Sequence, residues 1–240
     1  MDIKYGYKIK MSNNTICIEF IGAWGSGKTT LINELSKKLQ SEGIVVARLS
    51  DFDSQTMLKR YFSIGLFLLR HPLYIFKSLF FLVKILYILK PNDGFQINIF
   101  KTLIKTYIKK IIILKKKPAI FLCEGAYHLL SMFIHMNKLK EKDILFFANT
   151  KLHRKSDSVV CIDVDIDVAK KRVWKDNKNN IVRFSSSDSK KLDYLYSRIL
   201  NNQNKIITIL KSSSMSILNI NGSESLLKNT DNLSNFIRGI

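Results

Sequence analysis

The stretch FIGAWGSGKTT, positions 20–30, constrains this chain more than any other. An apolar, β-branched run over 15–22 (TICIEFIG) stops at a glycine and reads as a buried strand. KTTLINELSKKLQSEG follows, with Leu31, Leu35 and Leu39 along one helical face and Gly43 as the stop. At the junction, Gly22-x-x-x-x-Gly27-Lys28-Thr29 fits the spacing G-x-x-x-x-G-K-[ST] without a gap. Glycines let the backbone turn tightly enough for its N–H groups to face inward on an anion. The helix that follows adds its N-terminal partial positive charge. Lys28 can then reach β- and γ-phosphates, and the Thr29 hydroxyl can ligate Mg²⁺. The expected ligand is a nucleoside triphosphate, ATP with Mg²⁺.

Four more short apolar runs recur along the chain: IVVARLS (44–50), AIFLCEG (119–125), SVVCIDVD (158–165) and SILNINGS (216–223). Helix-like stretches separate them. After Asp165, IDVAKKRVWKD carries an acid in its first turn and bases further along, as the helix dipole favours, with Asp165 as the N-cap. Strands alternating with helices imply an α/β three-layer sandwich, a five-stranded parallel sheet covered on both faces. Ligands of such sheets bind beyond the carboxyl ends of the strands. The polar residues closing these runs, from Gly22 to Glu124, should therefore converge on one rim. Glu124 at that rim suits a carboxylate that holds Mg²⁺ through water, takes a proton from an acceptor hydroxyl, or caps a helix. His128, one turn further on, reads as a packing or surface histidine. Asp51 and Asp53 close the second run, where a contact to Mg²⁺ or an acceptor hydroxyl and a turn-capping role are equally open.

With 240 residues, 46% of them hydrophobic, the chain can bury a full core as one domain. Within that domain, 15–54 holds the phosphate loop and first two strands, 55–117 a helical insert, and 118–240 the remaining sheet, a lid and a C-terminal helix. Cys17, Cys123 and Cys161 fall inside strand-like runs without CxxC or Cys/His spacing, and read as small buried hydrophobes in a reducing compartment. MDIKYGYKIKMSNN lacks the apolar segment of a signal peptide, so the expected location is cytoplasmic.

The formal charge of +20 is unevenly spread: 55–117 holds thirteen Lys or Arg against the single acid Asp93. This insert reads as two or three helices broken near His71-Pro72 and at KPNDG. Arg70, Lys77 and Lys84 recur every seven residues among Leu, Phe, Ile and Tyr, and Lys101, Lys105, Lys109 and Lys110 follow on a second helix. No charge-free run approaches the roughly 18 residues that span a bilayer. One reading buries these helices in the core with the basic stripe meeting water. The other lays an amphipathic surface on anionic lipid at the inner face of a membrane, cations snorkelling to headgroups. Nucleic acid is disfavoured as a partner, because no binding motif is present and the aromatics sit in apolar runs. A greasy helix is also compatible with a homodimer interface.

FIGAWGSGKTTLINEL resembles the opening of the thymidylate kinase group within the nucleoside and nucleotide kinases. IFLCEG is similar to that group's third-strand motif, an acid followed by arginine or a related residue. SVVCIDVDIDVAKKRVWKD resembles its fourth strand and following helix. ILNINGSESLLKNTDNLSNFI is similar to its C-terminal strand, polar turn and amphipathic helix, where the adenine ring is typically held. The resemblance implies a sheet of the P-loop kinase type and makes Gly22, Gly25, Ser26, Gly27, Lys28, Thr29 and Thr30 the triphosphate cradle. It makes Glu124 the acid of the reaction centre, puts Arg172 near the start of a mobile lid and Arg183 on it. Arginines suit that place because a planar guanidinium bridges donor and acceptor phosphates.

Ala23-Trp24 stands where thymidylate kinases carry an acid, RLSDFDSQ replaces their Arg-Glu-Pro-Gly-Gly segment, and Gly125 follows Glu124 in place of arginine. These departures touch the acceptor side and leave the donor side intact. Three functions follow from the sequence. The first is a phosphotransferase moving the γ-phosphoryl of ATP to a small-molecule acceptor, such as a nucleoside monophosphate. The second is a membrane-docked kinase acting on a glycan or lipid-linked acceptor. The third is an NTP-binding switch without transfer activity.

Overall fold

The computed structural model describes residues 15–53, 65, 83, 86–87, 94–114, 116–133, 140–142, 144, 157–177, 189–213 and 215–240. Within them the chain runs β1 (Ile16–Gly22), α1 (Lys28–Ser41), β2 (Val46–Arg48), α2 (Ser50–Asp53), α3 (Gly94–Leu114), β3 (Ile120–Cys123) and α4 (Ala126–Ser131). It continues through β4 (Ser158–Asp163), α5 (Ile166–Asn177), α6 (Ser189–Ser212), β5 (Ser216–Asn221) and α7 (Leu226–Arg238). The strands form a five-stranded sheet in the order β2-β3-β1-β4-β5, and every pairing is parallel. β1 lies at the centre, with Glu19 opposite Cys123 of β3 on one side and Val159 of β4 on the other. A crossover in each direction from β1 puts the switch in strand order at the end of that strand, where the phosphate loop begins.

The period of two along β1 sorts its side chains between two cores. Ile18 and Phe20 face α1 and α7, packing with Leu31, Leu35, Leu39, Leu122, Leu233 and Ile237. Ile21 faces the opposite layer, where Leu103 of α3, Leu130 of α4 and Ile206 of α6 meet it, and Cys17 joins Ile112 and Ile113 of α3. Helices therefore cover both faces, as the alternation of runs predicts. Each fully buried Leu or Ile stabilises this arrangement by about 1.5–3 kcal/mol.

Local signals end the elements where the sequence indicates. At the end of α1, the Gly43 N–H bonds the Gln40 carbonyl and the Ile44 N–H the Leu39 carbonyl, each at 3.0 Å, which is a Schellman stop. At the start of α5, Asp165 accepts the Asp167 and Val168 N–H groups at 2.8 and 3.2 Å. β2 is shorter than the run 44–50. Asp51 accepts the Arg48 N–H at 2.8 Å and its Nε at 2.9 Å, which turns the chain into α2 and gives Asp51 a turn-forming role.

The insert lies inside the described residues chiefly as α3. Its Ile99, Phe100, Leu103, Ile112 and Ile113 are buried, whereas Lys101 and Lys105 are exposed. Lys110 departs from the expected basic surface: it is 3% exposed, on the face turned to the sheet. Arg70, Lys77 and Lys84 lie outside the described residues. Among the described residues no helix is long and apolar enough to cross a membrane.

Candidate functional site

The loop between β1 and α1 is built on two left-handed residues, Gly25 at φ +74° and Gly27 at φ +91°. Side chains would strain both positions, and at Gly25 a Cβ would also collide with the Ala169 carbonyl at the back of the loop. Trp24 lies between the motif glycines. Its ring meets Tyr196 of α6 edge-on at 6.2 Å, and the Tyr196 hydroxyl donates to the Trp24 carbonyl at 2.9 Å. The non-motif letters of the loop thus anchor it to the helical layer.

Inside the loop Ser26 is buried, and its Oγ has no hydrogen-bond partner among the described residues. Lys28 is buried as well, its Nζ donating to the Gly22 and Ala23 carbonyls at 3.0 and 2.9 Å. Burial lowers the Lys28 pKa from its ordinary value, and the nearby Glu124 carboxylate opposes that shift. A buried hydroxyl without a partner among the described residues, beside an ammonium hydrogen-bonded to two carbonyls, suits an incoming polyanion that would bond to both.

Glu124 reaches this loop from the end of β3. Thr29 Oγ1 donates to Glu124 Oε1 at 2.6 Å, and Lys28 Nζ stands 3.9 Å from Oε2. The expected convergence of Gly22 and Glu124 on one rim is met. Thr29 and Glu124 offer two hard oxygen donors side by side, a set that fits Mg²⁺ when phosphate and water oxygens complete the shell. His128 enters the same cluster, its Nε2 3.7 Å from Glu124 Oε2 and its Nδ1 buried without a hydrogen-bond partner among the described residues. Burial first, and then Lys28, holds its pKa well below the ordinary histidine value, so the imidazole is neutral. His128 reads from the sequence as a packing or surface histidine; its i,i+4 spacing from Glu124 is the signal that could have found this contact.

Arg172 comes to the opposite flank of the loop. From α5 its guanidinium donates to the Gly25 carbonyl at 3.3 Å and to the Gly222 carbonyl at 3.1 Å, tying the phosphate loop to the turn after β5. With Gly27, Thr30, Ile162, Glu224 and Asn229 it lines a cavity of about 280 Å³ beside the loop. Arg183 lies outside the described residues.

Residues 4–223 match the KAP family P-loop domain. The chain belongs to that family. Membership places this KAP-family domain among P-loop NTPases, a broader group than the thymidylate kinases its motifs resemble. Among solved structures, deoxyadenosine kinase from M. mycoides with products dCMP and a flexible dCDP bound aligns with TM-score 0.54 and 13% identity, over 94% of this chain and 100% of that one. The same enzyme with bound dATP aligns with TM-score 0.51 and 15% identity, over 92% of this chain and 98% of that one. At such identities the likeness is one of fold, and the KAP-family chain has a kinase-like α/β sandwich. A comparison with curated proteins returned no match.

Proposed function

We propose that this P-loop domain is an ATP-dependent phosphotransferase that moves the γ-phosphoryl of ATP to a small-molecule acceptor. One observation carries the reading: a carboxylate from the end of β3 stands against the phosphate loop, bonded to Thr29 at 2.6 Å with Lys28 3.9 Å away. Transfer of a phosphoryl group asks mainly for positioning and charge neutralisation. The loop N–H groups, the Ser26 hydroxyl and the α1 N-terminus would hold the phosphates. Lys28 would leave the Gly22 and Ala23 carbonyls for the β/γ-phosphate oxygens. Thr29 and Glu124 would hold Mg²⁺, which supplies charge neutralisation across the transferred group when bound. Glu124 also stands where it can take the proton of an acceptor hydroxyl. Arg172, already occupied by two carbonyls, would keep the loop registered against the cavity at Gly222.

The motif resemblance supports nucleosides and nucleoside monophosphates as the first acceptors to examine. γ-Labelled ATP with dTMP, other nucleotides, nucleosides and sugars tests the proposal. Transfer to one acceptor class is expected. Slow hydrolysis with no transfer to any acceptor would replace it with an NTP-binding switch.

A membrane-docked form of the same enzyme is favoured by Val83 and Tyr87 of the insert, large apolar side chains that are 58% and 76% exposed. Liposomes containing anionic lipid should sediment the protein at low salt and release it when Lys77 and Lys84 are both changed to Glu. Wild type remaining in the supernatant would end that reading.

A further inference from the structure

Glu19 is a carboxylate in the middle of the central strand, 1% exposed, in a run that is otherwise apolar. Burying such a group is costly unless hydrogen bonds and a counter-charge compensate it. Its Oε1 accepts the Tyr127 N–H at 2.5 Å, across a separation of 108 residues. Tyr127 stands in the first turn of α4, whose N-cap residue, Gly125, has no side chain to offer. Glu19 therefore supplies from β1 the acceptor that a capping side chain would supply locally. A Cβ at Gly125 would run into this same carboxylate.

A buried cation of the insert lies within electrostatic reach of this carboxylate. Lys110 of α3 is buried on the face toward β1 and β3. Burial works against its ammonium, and Cys17, Cys123 and Glu19 around it raise its pKa above the ordinary lysine value.

We propose that Glu19 is a positioning residue for Glu124: by taking the Tyr127 N–H and the space beside Gly125, it fixes the turn that carries Glu124 to Thr29. The turn is held at one end by the β3 ladder and at the other by Glu19, and Glu124 lies between. This also accounts for glycine where the thymidylate kinase motif has arginine, since the volume of a side chain at 125 is filled by the Glu19 carboxylate. The proposal rests on the reading of Glu124 as a reaction-centre carboxylate near the metal.

Removing a residue that orients a metal-side ligand commonly changes metal affinity or activity by about 10–100-fold. The experiment measures the Mg²⁺ concentration needed for half-maximal ATP binding by calorimetry, the urea midpoint, and turnover, in Glu19→Ala, Glu19→Gln, Gly125→Ala, Glu124→Gln and, as a core-packing control on α6, Leu210→Ala. Glu19→Ala and Gly125→Ala should each raise the Mg²⁺ requirement and lower kcat by about tenfold or more. Glu19→Gln keeps an acceptor for Tyr127 and should recover most of both. Leu210→Ala should lower the urea midpoint alone. In the double variant Glu19→Ala/Gly125→Ala the two effects should be less than additive, because the space at 125 is open. If Glu19→Ala does not fold, Gly125→Ala reports the same displacement. The proposal is overturned if Gly125→Ala, or a folded Glu19→Ala, behaves like Leu210→Ala while Glu124→Gln changes the Mg²⁺ requirement. If Glu124→Gln itself changes neither Mg²⁺ requirement nor turnover, the reading of Glu124 has failed and the proposal falls with it.

Discussion

Gly25→Ala and Gly43→Ala form a matched pair that isolates what the phosphate loop demands. Both residues are left-handed, at φ +74° and +80°. Around Gly43 a Cβ meets nothing within 4 Å, so alanine there carries only the conformational penalty, about 1–2 kcal/mol. At Gly25 the same Cβ collides with the Ala169 carbonyl and lies 3.1 Å from Val173 Cγ2, so α5 must move or the loop must open. Overpacking of that kind adds about 1–3 kcal/mol. Gly25→Ala should therefore lose about 2–5 kcal/mol, which at about 2–4 °C per kcal/mol for a chain of this size is a fall in Tm of roughly 4–20 °C. Gly43→Ala should fall by about 2–8 °C on the same arithmetic. Function should separate them more sharply: Gly25→Ala loses ATP binding because the anion cradle is deformed, and Gly43→Ala keeps it. Urea and thermal unfolding with calorimetric ATP titration make the comparison. Equal stability losses and equal ATP affinity in the two variants would refute the crowding argument.

Further outcomes follow from the same site. Lys28→Met should weaken ATP binding by about 10–100-fold, the equivalent of a hydrogen bond to a charged group, as read by calorimetry at saturating Mg²⁺. Tyr196→Phe removes the bond to the Trp24 carbonyl and should lower stability by about 1 kcal/mol in urea unfolding. Because the folded His128 pKa is depressed, the unfolded chain binds a proton that the folded chain refuses, and stability falls as pH drops below about 6.5. In EDTA buffer this group should contribute about 1.4 kcal/mol per pH unit below that point, down to its folded pKa, and His128→Phe should flatten the slope by that amount. An unchanged slope would remove His128 from the buried cluster.

Much of the fold was legible because its signals are local. The phosphate loop, the Schellman stop at Gly43, the cap at Asp165 and the five apolar runs each depend on neighbours within a few residues. The rim shared by Gly22 and Glu124 followed from the parallel sheet. What periodicity could not reveal was which charged residues leave the surface. Lys110 sits among lysines that read as one basic face, yet it is buried, and Glu19, 91 positions earlier and buried as well, is among the groups that favour its ammonium. Glu19 was visible as the one charge in ICIEFIG, but its partner Tyr127 lies on another element. Trp24 likewise looked like a motif departure, whereas its contact with Tyr196 makes it a loop anchor.

The fate of the γ-phosphoryl of ATP in wild type and in Glu124→Gln, followed with labelled ATP across the acceptor panel, tests the central claim most directly. The account predicts that the variant binds ATP as wild type does at saturating Mg²⁺ and that transfer falls by about a hundredfold or more. Transfer at the wild-type rate in Glu124→Gln would contradict it.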